Sequence, residues 1–259
     1  MAIVFQKESK SMIYDAFSVR QHTPEAYVKK FSPKEWFHPS SLATFMKTYG
    51  SYINAPAPDM IATFWANRYS RYIAFFHWAA AKGWSTDMTF DRMNVYLCER
   101  SDRREPAFEF QVDMHPDGYM TDRQTREERL AEFYQHHVAP LIHAFSQAAG
   151  IRTRELWGQV FHAVPYFLHL AKVTETKEVQ GYLQDDWYYI TQMAAPSVFK
   201  EKKPPFQFKV MEIPNPVEDK PLYTKPTCCL AYKASGNCCY RCPRMKPAER
   251  QKLYEEKKK

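Results

Sequence analysis

Glycine is scarce in this chain: seven residues in 259, against eighteen prolines. Neither G-x-G-x-x-G nor the P-loop pattern occurs, so nucleotide chemistry by the common phosphate-cradling loops is disfavoured. Long apolar runs are missing too. The longest near-apolar stretch is "IAFFHWAAA", Ile73–Ala81, far too short to span a bilayer. The opening "MAIVFQKESK" turns polar after five residues and does not resemble a secretory leader. A cytoplasmic location is the expectation, with peripheral contact at the inner membrane face as the only membrane role. No internal repeat occurs, and no H-E-x-x-H or His-x3-His spacing joins His136, His137, His143, His162 and His169. A histidine metal site is therefore not expected.

Hydrophobic residues make up 45% of the chain and aromatics 16%, enough for a folded globular body. Leu42, Phe45, Met46, Tyr49 and Ile53 recur at helical spacing behind Ser40 and Ser41, expected as caps. A second helix is expected from about Asp59 to Lys82, with Ile61, Phe64, Trp65, Tyr72 and Phe76 inward and Gly83 ending it. The period then changes: "MNVYLC" and "AFEFQV" alternate, and the charged "ERSDRREP" reads as a hairpin connection. Helical spacing returns at Thr125, where Thr125 and Glu128 are spaced as a capping box. Pro140 is expected to kink this helix and Gly150 to end it. Further stripes follow at Leu156–Leu168 and Leu183–Ile190. The reading is an α+β fold: residues 1–200 a mainly helical body with a small antiparallel sheet, 201–226 a proline-rich connector with one strand at Phe206–Val210, and 227–259 a compact cysteine module with a basic terminal helix.

That module holds five of the six cysteines: Cys228, Cys229, Cys238, Cys239 and Cys242. Cys98 is read as a buried apolar thiol. In a reducing compartment, clustered cysteines favour metal or redox work over disulfides, and thiolates select iron–sulfur or zinc over hard cations. "CYRC" (Cys239–Cys242) suits either metal. The vicinal pair Cys228–Cys229 suits a cluster better than a zinc knuckle, and spacing alone leaves both open.

A vicinal cysteine pair, an interval of about ten residues and then Cys-x-x-Cys-Pro resembles the C-terminal signature of the FhuF-like ferric-siderophore reductases. "RELWG" (Arg154–Gly158) is similar to an Arg-x-x-Trp-Gly pattern associated with that family, with Gln159 in place of the expected Asn. The resemblance implies a 2Fe–2S cluster on Cys228, Cys229, Cys239 and Cys242, with Pro243 as the following proline. This chain departs in an interval of nine residues, Leu230–Cys238, and in its extra cysteine, Cys238, expected not to ligate. The implied activity is one-electron reduction of Fe(III) in a siderophore, with a ferredoxin or flavin reductase as donor; no catalytic side chain is assigned. A zinc-binding interaction module and a 2Fe–2S electron carrier are the alternatives.

Charge agrees with an acidic partner. The chain carries a formal +7, and seven Lys/Arg against three Glu leave Pro243–Lys259 at +4. Lys225, Lys233, Arg241, Arg244 and Lys246 would offset a dianionic cluster and attract an anionic chelate of citrate-hydroxamate type. Nucleic acid is not expected, since the tail has one aromatic, Tyr254, and no recognised motif.

Overall fold

The computed structural model describes residues 17–86, 89–100, 103–111, 114–115 and 122–258. Short strands β1 (Val19–Arg20) and β2 (Lys29–Phe31) come first. A 3-10 turn at Pro33–Phe37 leads into helix α1, Pro39–Tyr52. This helix begins at Pro39, not behind the serines: proline at the first position needs no N–H partner, and His38 holds the cap position. Helix α2, Pro58–Ala81, is buried around most of its circumference, with Ala62, Ala66, Tyr72, Phe75 and Phe76 all fully covered. Gly83 just beyond it has a φ of 70°, the left-handed conformation that glycine adopts without strain.

Strands β3 (Ser85–Thr86), β4 (Asn94–Arg100), β5 (Arg103–Gln111) and β6 (Met114–His115) follow. β4 and β5 form the expected antiparallel hairpin, but the charged segment belongs mostly to the strands, since Arg100 pairs with Arg103. The sheet order is β1-β5-β4-β2, and β1 adds to β5 in parallel, which makes the small sheet mixed. Val95, Tyr96, Leu97 and Cys98 are all buried, so β4 is covered on both faces.

Helix α3, Arg123–Phe133, is capped by Asp122, whose side chain accepts from the Thr125 N–H at 3.0 Å. Aspartate takes this position in place of the expected threonine because its carboxylate reaches the free amides of the first turn. The helix passes through a π-helical turn, Tyr134–Val138, into α4, Ala139–Ala149. Pro140 lies just beyond, and its missing N–H is absorbed by this widened turn. Gly150 ends α4 in the left-handed region. Helices α5 (Thr153–Lys172) and α6 (Lys177–Tyr188) complete the body, and α5 forms the most extensive packing partner of α2.

The connector differs from expectation. Phe206–Val210 has no strand; β7 (Glu212–Ile213) pairs instead with β8 (Leu222–Tyr223). Pro204 and Pro205 stand immediately before, and Phe206 is drawn into the body core, its ring 5.5 Å from Trp157 and 5.8 Å from Phe161. Side-chain burial outcompetes strand pairing there. A single turn, α7 (Tyr232–Ser235), and the terminal helix α8 (Pro247–Lys258) lie in the cysteine module. One large apolar core runs from Phe17 to Phe206, and a second, small one joins Cys228, Leu230, Cys242 and Met245 to Met60 of α2. Among the described residues no helix is long and apolar enough to cross a membrane.

Candidate metal centre

The segment before the first cysteine is fixed by α5. Gly158 has no side chain, and a Cβ there would lie 2.8 Å from Thr227 Cβ and closer still to its Oγ1 and Cγ2. Glycine thus lets the loop backbone approach the helix. Thr227 Oγ1 donates to the Glu155 carbonyl at 2.9 Å and accepts from Gln159 Nε2 at 2.9 Å. The "RELWGQ" stretch is therefore the berth on which the cysteine loop rests. Gln159 Oε1, buried beside it, finds no hydrogen-bond partner among the described residues. From α2, Thr63 Oγ1 donates to the Cys229 carbonyl at 2.8 Å.

Past the vicinal pair the chain turns sharply. Leu230 has a φ of 62°, uncommon for a branched residue and held here by burial of its side chain. Its N–H donates to Cys228 Sγ at 3.4 Å. The second half of the module is closed by backbone: Cys242 N–H donates to the Cys239 carbonyl at 2.8 Å, and Lys225 N–H to the Arg241 carbonyl at 2.8 Å. Arg250 of α8 reaches back to the Cys242 carbonyl at 2.8 Å and the Tyr240 carbonyl at 3.2 Å.

These contacts bring the two cysteine runs together. Cys228 Sγ and Cys242 Sγ are 3.4 Å apart, both buried. Burial first, and Cys242 beside it, push the Cys228 thiol up to about 12. Cys238 is partly buried against the small core, and its thiol is raised by burial and then by Cys242. Cys239 is exposed at the rim. Protein packed around its sulfur on the inner side raises its pKa by desolvation, Lys225 opposes this, and Cys229 and Cys242 add to the rise. Lys225 Nζ lies 3.9 Å from Cys229 Sγ. Both cysteine runs thus face one another.

One pair of thiols stands at a spacing that suits a thiolate-bound metal centre. Two thiolates on one tetrahedral metal stand about 3.8 Å apart for bonds of about 2.3 Å, and the Cys228–Cys242 pair is within a few tenths of an ångström of that. Among the described residues, no three His, Cys, Asp or Glu side chains are already gathered around one point. Cys98 lies elsewhere, as a buried thiol in β4.

Among the described residues, the histidines are not gathered around one point. His136 is exposed, His137 is buried in the core with Tyr69 at its Nδ1, and His143 stands 3.6 Å from Glu201. His162 of α5, which the sequence gives no metal-ligand spacing, is carried by the fold close enough to Lys225 and Arg241 of the module to feel their charge. Burial chiefly, then Lys225 and Arg241, lower its pKa to about 4. Lys233 instead pairs with Asp59 at 2.5 Å, and Arg244 donates to the Tyr232 hydroxyl at 3.0 Å. Compared with known proteins, the chain matches no family model, and no curated protein is similar enough to count as a relative.

Proposed function

We propose that this chain is an iron–sulfur protein of the FhuF-like kind, reducing Fe(III) held in an anionic siderophore by one electron. The observation that carries the reading is the approach of the two cysteine runs, with Cys228 and Cys242 at 3.4 Å on a berth shaped by Gly158, Gln159 and Thr63. Cys228, Cys229, Cys239 and Cys242 would be the ligands, leaving Cys238 as a neighbour. Bound there, a 2Fe–2S cluster would supply a one-electron centre.

The chain's own residues do the rest. The Leu230 N–H donates to Cys228 Sγ and opposes the burial that raises that thiol, while Lys225 Nζ lies 3.9 Å from Cys229 Sγ and brings a positive charge beside the cysteines. Lys225 and Arg241 place positive charge at the exposed rim, where an anionic chelate or an acidic donor protein would approach. Siderophore oxygens are hard ligands and hold ferric iron more tightly than ferrous, so adding one electron loosens the chelate. A reduced ferredoxin or flavin reductase would lose that electron in turn.

Stopped-flow mixing of anaerobically reduced protein with ferric chelates tests this. The expected result is a saturable step, faster for anionic chelates and slowed by salt as screening shortens to about 8 Å. A colourless protein holding zinc would replace the reading with an interaction module. A rate that rises linearly with chelate, without saturation, would make the chain an electron carrier.

A further inference from the structure

A second feature lies on the same helix that berths the cysteine loop. The first turn of α5 and the segment Lys200–Pro205 enclose a cleft of about 440 Å³, lined by Thr153, Arg154, Trp157 and that segment. Arg154, Lys200, Lys202 and Lys203 bring four positive charges to it, against one carboxylate, Glu201. That carboxylate is already engaged, accepting from Trp157 Nε1 at 3.1 Å and facing His143 at 3.6 Å. Arg154 is held in place, donating to the Gln207 carbonyl at 3.2 Å with its guanidinium 4.7 Å from the Phe208 ring centroid. Among the described residues, Lys200, Lys202 and Lys203 pair with no carboxylate. Lys200 bends the chain with a φ of 52°, and Pro204 and Pro205 stiffen the end of the segment.

We propose that this cleft binds a compact polycarboxylate, either free or as the acid-bearing arm of a metal chelate. Four cations on the lining of a concave surface, with its one carboxylate already engaged, leave a net positive site. Its arginine fork is preorganised for a carboxylate, and the volume lies at the small end of ligand sites. Its buried Trp157 wall gives an apolar backing. Arg154 and Gly158 are one turn apart, about 6 Å along α5, so the cleft and the berth of Thr227 are parts of one rigid element. The binding site stands on its own; only its use to dock the iron substrate rests on the function proposed above.

Calorimetric titration of the full chain with citrate, with redox-inert Ga(III) citrate and with a neutral Ga(III) trihydroxamate tests the proposal. Binding is expected for one or both citrate probes and at least tenfold weaker for the neutral chelate. Citrate alone binding equally well assigns a free polycarboxylate; binding of the gallium complex only assigns a chelate. Lys202→Glu with Lys203→Glu should weaken binding at least tenfold, whereas the charge-matched Lys29→Glu with Lys30→Glu on β2 should change it less than threefold. Equal loss in both double variants, or equal binding of the neutral chelate, overturns the site. No probe needs a redox centre. Citrate binding in a protein that holds only zinc would retain the cleft and remove the reductase reading. Chelate reduction unaffected by Lys202→Glu with Lys203→Glu would retain the reductase reading and remove the cleft's use in docking the iron substrate.

Discussion

The body and the cysteine module are held together by different means. The body buries a continuous aromatic core in which Trp65 stacks on Phe145 at 3.6 Å and Phe76 on Phe133 at 3.9 Å. The module has a core of five buried residues, one borrowed from α2 and two of them cysteines. Burial of this kind gives about 25 cal/mol per Å², so the body has ample means to fold alone and the module has little. A small unit of this sort draws its order from docking and from whatever its thiols bind. The order of the body and the order of the module are therefore expected to respond differently to perturbation.

If the cysteines hold the metal centre proposed above, its removal should give the largest separation. Structural metals contribute on the order of 10 kcal/mol to small domains. Chelation should therefore abolish amide-exchange protection over residues 224–250 while α2 and α5 keep theirs. Simultaneous loss in both regions would show one cooperative unit and end the comparison.

Acid should strike the body instead. His77 and His137 are fully buried, and burial holds each at about 3 against an ordinary value of 6.5. The unfolded chain takes up two protons that the native core refuses. Their contribution to stability is therefore full above pH 6.5 and lost as pH falls toward 3, by about 1.4 kcal/mol per histidine per pH unit. Urea unfolding at pH 7 and pH 5 should differ by about 4 kcal/mol from these two groups. A body equally stable at both values would mean that the histidines are not buried neutral.

Gly158→Ala sharpens the boundary between the regions. Alanine favours α5 by about 1 kcal/mol, but its Cβ occupies space held by Thr227, and such overpacking costs about 1–3 kcal/mol. Body stability should hold or rise while protection at residues 227–242 falls. A gain in both would show that the close approach is dispensable.

The body was legible because its helices bury long periodic faces: Phe45, Trp65, Leu130 and Val160 all stand in the core as their spacing requires. Ends were less legible, since Asp122 and Pro39 decide them through local backbone chemistry that threonine and serine nearby imitate. The strand at Phe206–Val210 was misread because alternation reports which residues want burial and not which partner they find. For the candidate site, the cysteines announce themselves in sequence, but Gly158, Gln159 and Thr63 acquire their positions from packing between residues far apart in the chain. The "RELWG" pattern was the one local signal of that berth.

Cluster content in a cysteine-to-serine series tests the central claim most directly. After anaerobic reconstitution, the parent chain and Cys238→Ser should hold iron and acid-labile sulfide in equal amounts, with the visible and electron-resonance spectra of a 2Fe–2S centre. Cys228→Ser, Cys229→Ser, Cys239→Ser and Cys242→Ser should each lose or visibly alter that centre, with far-ultraviolet dichroism of the body unchanged. A parent chain that takes up zinc and no sulfide, or a series in which Cys238→Ser destroys the signal and Cys239→Ser preserves it, would contradict the account.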